Sequence, residues 1–574
     1  MSKEGMVSSK RILIVMFLLT SSAVAVIFRL VHLQVIEHEK YVEQAQQEHW
    51  SKETLVSRRG TIRDRNGYPL AASVATYDVY VNASDAKNLD KAARGLAPIL
   101  GMPVEETLGK LAKADKERIL IRTDVSYELG NKVAEAIIPG VEVAASTQRV
   151  YPEGNLAAAL MGFVGKDNRG LTGIEETFNW ELAGTAGTVM YERDSTGVPI
   201  PVGLRRVVTP PKEGQDLILT IDRFAQRLVE RKLDEAITKH QARGGVIIVM
   251  EPNTGEVLAI ASRPTFDLTK LDLKSNPQME LYRNRAITDL YEPGSVFKVI
   301  TMATGIEEKR FTPTTAFYDG GPVNKYGWNI NTWNGEHHGN ETMTQVLINS
   351  CNVGAVWASD AIGRDKFYEY VARFGFGQPT NIGLSGEAPG QIRFPKDPDW
   401  KPIDMATHSF GQGMAVTPLQ VVTAISAIAN GGNLMRPYVL REVQGSNSNR
   451  VFQPVVVRRV ISTQTSAQVI GMMKEVAEGG ANKSAMVPGF HVAGKTGTAS
   501  IPMPGGYTTQ DTIASFVGMV PVPNPRFVIL VRLDAPKDSP WGSIVASPIF
   551  SAIAKELLVY FKVPPQEPAL VQKD

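Results

Sequence analysis

The sequence predicts a membrane helix followed by α+β modules, the larger built on one antiparallel sheet with helices on its faces. Three observations predict this. Residues 12–28, "ILIVMFLLTSSAVAVIF", carry no charge. Two β-rich hairpins, "GGVIIVMEPNTGEVLAIAS" (244–262) and "TIASFVGMV" with "RFVILVRLDAP" (512–536), stand far apart in the chain. The stretch between them is mainly helical, with long Gly/Pro loops. At 574 residues the chain is too long for one core.

The apolar run follows Lys3, Lys10 and Arg11, and Leu30, Val31 and Leu33 extend it past Arg29, whose head can snorkel. A cleaved signal peptide is the alternative, because Ala23-Val24-Ala25 fits a small-x-small site. That tripeptide lies inside the run, and "VIFRLVHLQVIEHEKYVEQAQQEH" continues the helical pattern, which favours an uncleaved anchor. The preceding basic residues predict a cytoplasmic N-terminus, with the remaining chain outside the membrane.

Residues 50–210 mix short strand patterns ("TYDVYVNAS", "GVEVAAS") with polar helices and Gly turns, and Pro210-Pro211 before "KEGQ" reads as a linker. "DLILTID" then predicts a strand ending in an N-cap, Asp222. In "RFAQRLVERKLDEAITKH", apolar residues at 224, 225, 228, 229, 233, 236 and 237 predict a helix with one buried face. "GFHVAGKTGTAS" adds a strand. "SPIFSAIAKELLVYF" closes the fold as an amphipathic helix, with Ser547 as cap and Pro548 at its first position. The predicted boundaries are a cytoplasmic tail at 1–11, an anchor at 12–33, an N-terminal module at 34–212, the large domain at 213–562 and a tail at 563–574.

Composition narrows the function. Lys+Arg total 61 against 59 Asp+Glu, a net charge of +2, with no basic run interleaved with aromatics, so nucleic acid is not the expected partner. Cys351 is the single cysteine, which excludes an internal disulfide and a CxxC zinc site. We expect it to pack off any catalytic face. His337-His338 lack helical i,i+4 spacing and a third ligand in the sequence, so no metal is expected. Asp64 and Arg65 read as a structural pair, and Glu175 likewise as structural. The sequons at Asn82, Asn340 and Asn482 carry no weight.

"YEPGSVFKVI" (291–300) places a hydroxyl, Ser295, one helical turn before an amine, Lys298. Val299, Met302, Ala303 and Ile306 predict that the helix turns one stripe to a core. Ser295 then lies in the first turn, where free N–H groups favour developing negative charge. Lys298 acts as a base only when neutral, which needs burial and nearby positive potential. Ser-x-x-Lys recurs at Ser84 to Lys87, in a polar loop with no apolar helix after it. "INSCNVGAVW" adds Ser350 and Asn352, and "HVAGKTGTAS" adds Lys495-Thr496-Gly497-Thr498 on a strand.

In the order SxxK, SxN, KTG these motifs resemble those of the penicillin-recognising acyl-serine enzymes. "RRGTIRDRNGYPLA", "GLTGIEETFNWELAGTAG", "NRAITDLYEPGSVFK", "SFGQGMAVTPLQ" and "FVGMVPVPNPRFVILVRLDAP" extend the resemblance to class B penicillin-binding proteins, the monofunctional peptidoglycan D,D-transpeptidases. It implies an elongated N-terminal pedestal or dimerisation module and a transpeptidase domain of the serine β-lactamase-like fold. It also implies the chemistry. Ser295 would attack the carbonyl between the terminal D-alanines of a stem peptide, and Lys298 would take its proton. Ser350 would relay a proton to the leaving amine, Asn352 would orient the lysine and the substrate amide, and Lys495 would add positive potential near Ser350. Thr496, Gly497 and Thr498 would bind substrate, the threonines at its carboxylate. The N–H groups of Ser295 and Thr498 would form an oxyanion hole worth about 2.7–4 kcal/mol per donor.

β-Lactams would acylate the same serine, no cofactor or metal is implied, and a SEDS-type glycan polymerase is the implied membrane partner. The compact N-terminal module resembles division and sporulation members more than elongation ones. A serine β-lactamase or β-lactam sensor shares the triad, but the E-x-x-L-N pattern of class A hydrolases is missing. A bifunctional enzyme would carry a glycosyltransferase motif before the linker. A non-catalytic scaffold is a third alternative, which the intact motif residues disfavour.

Overall fold

Strand Gly244–Met250 is buried at every residue, and its side chains divide by parity between two cores. Val246, Ile248 and Met250 enter one core while Ile247 and Val249 enter the other. Successive side chains of a strand point to opposite faces, so such a run needs cover on both sides. The computed structural model provides it. It describes residues 3–42, 50–83, 86, 88–112, 118–192, 205–271, 279–446, 449–479, 483–503 and 506–567. Ser84, Lys87, Asn482 and the end of the tail lie outside the described residues.

Contacts divide the chain into two units. The first contains residues 1–58, 75–148 and 184–213; the second contains 59–74, 149–183 and 214–574. In the second, five strands form a sheet in the order Val257–Arg263, Gly244–Met250, Phe527–Asp534, Gly506–Val520, Ala493–Met503, each neighbour antiparallel. Both chain ends of the domain thus meet in one sheet, and the strand bearing Lys495 lies at its edge. One face is covered by helices Arg223–His240 and Ser547–Tyr560. The other packs on helices that include Pro418–Ala429, Lys298–Glu307 and Thr463–Gly479. Each aliphatic side chain removed from water there contributes about 1.5–3 kcal/mol.

Asp222 caps the helix Arg223–His240, accepting from the backbone N–H groups of Phe224 and Ala225. The last helix differs from expectation at its start. Ala546 is the N-cap, and Ser547 is already inside, its hydroxyl turned back to the carbonyl of Gly542. The short helix Gly542–Val545 leads into it, so backbone groups replace the side-chain cap. Asp64 and Arg65 do not pair with each other. Asp64 accepts from the N–H groups of Asn66, Tyr68 and Arg223, and Arg65 reaches Glu256 at 2.9 Å.

The first unit holds a helix, Lys3–Val31, that runs unbroken through Ala23-Val24-Ala25 into a π-turn at His32–Ile36. Its apolar span, Lys10–Ile36, has 27 residues, none of them buried, and is long enough to cross a bilayer. Helices Leu89–Leu100, Val104–Ala112 and Tyr127–Glu135 share a core with strand Arg118–Val125, centred on Val79, Leu96, Ile121 and Val133. A separate three-stranded sheet joins Trp50–Leu55, Gly187–Glu192 and Arg205–Thr209.

Candidate active site

A 3₁₀ turn, Gly294–Phe297, carries Ser295 and passes directly into the helix Lys298–Glu307. The sequence predicts one buried stripe for this helix. In the structure Lys298 through Ile306 are all buried, because neighbouring helices enclose it. A lysine in its first turn is therefore held out of water whichever way it points.

Glycine lets the turn approach its neighbours. Gly294 has φ +56°, its N–H donates to the carbonyl of Gly411 at 3.0 Å, and a Cβ on Gly411 would fall 2.2 Å from the carbonyl oxygen of Gly294. A Cβ at Gly497 would lie 2.5 Å from Ser515 Oγ and 2.9 Å from the carbonyl oxygen of Pro293. The edge strand and the Ser295 turn thus touch backbone to backbone.

Lys298 Nζ is the hub. It lies 3.1 Å from Ser295 Oγ, 2.6 Å from the carbonyl oxygen of Ser350, 3.2 Å from Ser350 Oγ and 2.7 Å from Asn352 Oδ1. The carbonyl and the amide oxygen only accept, so they take two N–H bonds at the shortest distances. A neutral amine has two N–H bonds and one lone pair, which leaves the lone pair for a hydroxyl. Asn352 is itself fixed, its Nδ2 donating to the carbonyl of Asn331 at 2.9 Å. Lys495 Nζ reaches Ser350 Oγ at 3.1 Å, which puts that hydroxyl between the two amines.

Both lysines are buried, Lys298 with 0% and Lys495 with 1% of its surface exposed. Burial pushes the Lys298 amine well below its ordinary 10.5; positive Lys495 adds to the effect and Cys351 opposes it. Burial alone brings Lys495 down to about 7. Ser350 itself takes the left-handed conformation, φ 56°, which costs a non-glycine residue about 1–3 kcal/mol. The turn aims its carbonyl at Lys298.

The edge strand alternates. Lys495, Gly497 and Ala499 are buried, while Thr496 and Thr498 are half-exposed. Among the described residues neither threonine side chain hydrogen-bonds to the Ser295–Lys298–Ser350 cluster. Among the described residues no strand pairs with the outer edge of this strand in the sheet, which suits an added strand.

The sequence missed several residues around the site. Glu292 Oε1 accepts from the N–H of Gly413 at 2.9 Å, bracing the loop against the Ser295 turn. Trp333 donates from its indole nitrogen to the carbonyl of Asn349, and its ring meets Trp541 edge-on at 4.7 Å. Single tryptophans in loops gave no periodic signal. His338, without ligands in sequence, lies in the fold with Asp319, Glu341 and Cys351, their donor atoms within 4.8 Å of one another. Cys351 is fully buried, as expected for a packing role, but its neighbours are polar.

Known proteins resemble both parts of the chain. Residues 245–555 match the penicillin binding protein transpeptidase domain, and residues 54–219 match the penicillin-binding protein dimerisation domain. The chain is 35% identical to stage V sporulation protein D of Bacillus subtilis over 553 residues, covering 95% of this chain and 85% of that one. It is 30% identical to the peptidoglycan D,D-transpeptidase FtsI of Escherichia coli K12, covering 94% and 89% respectively. The solved structure of penicillin binding protein 3 from Mycobacterium tuberculosis, complexed with aztreonam, superposes with a TM-score of 0.70 at 27% identity, covering 91% of this chain and 100% of that one.

Proposed function

The chain belongs to the class B penicillin-binding proteins, the membrane-anchored peptidoglycan D,D-transpeptidases, and we propose that it cross-links stem peptides through an acyl-enzyme on Ser295. One observation carries the assignment of the nucleophile. Ser295 Oγ lies 3.1 Å from an amine that is fully buried and whose acceptor-only neighbours leave its lone pair free.

In the first step Ser295 Oγ attacks the carbonyl carbon of the penultimate D-alanine while its proton passes to Lys298 Nζ. The tetrahedral oxyanion sits between the N–H groups of Ser295 and Thr498. As the C–N bond breaks, the proton held by Lys298 moves through Ser350 Oγ to the departing D-alanine amine. The 3.2 Å and 3.1 Å contacts of Ser350 Oγ with Lys298 and Lys495 suit that relay. An amine from a neighbouring stem peptide then reverses the sequence, losing its proton along the same path and displacing Ser295. The donor peptide lies along the edge strand Ala493–Met503, with Thr496 and Thr498 meeting its carboxylate. A β-lactam acylates Ser295 by the first step alone.

The anchor places residues beyond it on the outer face, with the N-terminus in the cytoplasm, the arrangement the basic residues before the span favour. Through that anchor and the N-terminal module the enzyme pairs with a SEDS-type glycan polymerase in division or sporulation.

Labelled penicillin and intact mass test the nucleophile. We expect one stable adduct on the purified protein and none on Ser295→Ala. An adduct on both, or on neither when both are folded, rejects the assignment.

A further inference from the structure

The segment that leads into Ser295 is laced to the loop 411–416. Tyr291 exchanges both backbone hydrogen bonds with Val416, at 3.0 and 2.9 Å. Glu292 Oε1 accepts from the N–H of Gly413 at 2.9 Å, and the N–H of Gly294 donates to the carbonyl of Gly411 at 3.0 Å. The position of this loop therefore sets the position of the nucleophile.

A histidine holds the loop from behind. His408 ends the helix Pro402–His408 and is 1% exposed. Its Nε2 lies 3.0 Å from the carbonyl oxygen of Gly413, and its Nδ1 lies 3.0 Å from the hydroxyl of Tyr368. Tyr368, on the helix Arg364–Arg373, is buried too, and its oxygen takes a 2.8 Å bond from the indole nitrogen of Trp400.

The two ends of this chain fix its direction. An indole N–H only donates and a carbonyl only accepts. His408 must then carry its proton on Nε2 and donate to Gly413, while Nδ1 accepts from the Tyr368 hydroxyl. With a neutral imidazole every group in the chain is satisfied. A second ring proton would set Nδ1–H against the Tyr368 O–H, two donors face to face. Burial agrees, bringing the imidazole down to about 4, with Arg393 adding to the effect and the Gly413 carbonyl and Asp404 opposing it. Asp404 is itself paired with Arg393 at 2.8 Å.

We propose that His408 is a positioning residue for the acyl transfer: its Nε2–H, oriented by Tyr368 and Trp400, fixes Gly413 and so holds Ser295 Oγ at the Lys298 amine. The inference rests on Ser295 being the nucleophile. Among the described residues the imidazole hydrogen-bonds to neither Ser295 nor Lys298, so it acts through the loop. Two backbone acceptors tie the same loop whatever side chain stands at 408. The carbonyl of His408 accepts from the N–H of Gly411 at 3.0 Å, and that of Ser409 accepts from Thr301 Oγ1 at 2.7 Å. Losing the imidazole thus loosens Gly413 without releasing the loop.

Stopped-flow acylation by labelled penicillin separates non-covalent binding from the acylation step. In His408→Leu we expect the acylation rate constant to fall by about 10–10²-fold, the penalty of a small misplacement at the reacting atoms, with non-covalent affinity unchanged. His408→Gln sets an amide N–H near the Nε2 position and should restore most of the rate. His408→Asn reaches only the Nδ1 position and should not. Rates that follow Tm across the three variants, with no rescue by glutamine, overturn the proposal.

A spectrum of the full-length protein in detergent tests the chain without substrate, so it stands apart from the assignment of Ser295, which the adduct on Ser295→Ala decides. With ¹⁵N-labelled histidine, the His408 signals are those missing from His408→Gln. They should report a neutral ring protonated on Nε2 across about pH 5–8, where an ordinary histidine titrates. A ring protonated on Nδ1, or one that titrates in this range, overturns the proposal whatever the variants do. If no variant at 408 folds, Tyr368→Phe identifies the signal, because Nδ1 loses its donor and must shift.

Discussion

Two regions of the larger unit bury cations, and they treat them in opposite ways. Around Glu175, two fully or almost fully buried arginines share one carboxylate: Arg59 Nε and Arg149 Nε each reach one of its oxygens at 2.7 Å. Arg59 spends its remaining donors on the carbonyls of Asn168 and Glu175 and on Asn179 Oδ1. Burial lowers the Arg59 guanidinium and Glu175 opposes it, and a guanidinium stays charged regardless. Around Ser295 two buried lysines have no carboxylate among the causes that act on them, and both are displaced far downward. A buried guanidinium with a carboxylate stays charged and holds segments together; a buried amine without one is pushed towards its neutral form.

The largest effect should come from removing that amine. Lys298→Met should slow acylation by labelled penicillin by at least about 10²–10⁴-fold, while Tm holds or rises because no amine need leave water. A fall in Tm of the size seen at a paired charge would break the contrast. Glu175→Gln makes the opposite case. It leaves two buried guanidiniums short of a counter-charge and should cost about 3–5 kcal/mol of stability, read by denaturant titration, with the acylation rate of the folded fraction unchanged.

A third variant turns one region towards the other. Asn352→Asp sets a carboxylate where an amide oxygen now lies 2.7 Å from Lys298 Nζ. It should raise the lysine's pKa, slow acylation near neutral pH and restore it in alkali. The smallest effect is a slope. An unfolded lysine holds its proton to about 10.4, whereas folded Lys495 releases it at about 7. The unfolded state therefore binds more protons between these values, and stability should rise with pH across that window. Lys495→Met should flatten the rise, as measured by Tm against pH.

Much of the fold could be read from local pattern. The two hairpins, the Asp222 cap and the motif order predicted an antiparallel sheet carrying the KTG strand, because strand alternation and capping are local chemistry. Ser295 and Lys298 could be paired by helical spacing. What sequence could not supply depends on distant partners. The lone stripe predicted for Lys298–Glu307 became burial on all sides because other helices enclose it. Arg65 passed over its neighbour Asp64 to reach Glu256, far along the chain. His338 found Asp319 and Cys351 only because a strand pairing aligned them. The Ser350 carbonyl, the shortest contact of Lys298, rests on a left-handed turn that no residue type at that position announces.

The central claim is that Lys298 is neutral at working pH because it is buried without a counter-charge. The acylation rate constant with labelled penicillin, followed as a function of pH, tests it most directly. The account predicts an acid limb with a midpoint well below 10.5, shifted upward in Asn352→Asp. A rate that keeps climbing to a midpoint at about 10.4, the ordinary lysine value, would contradict it.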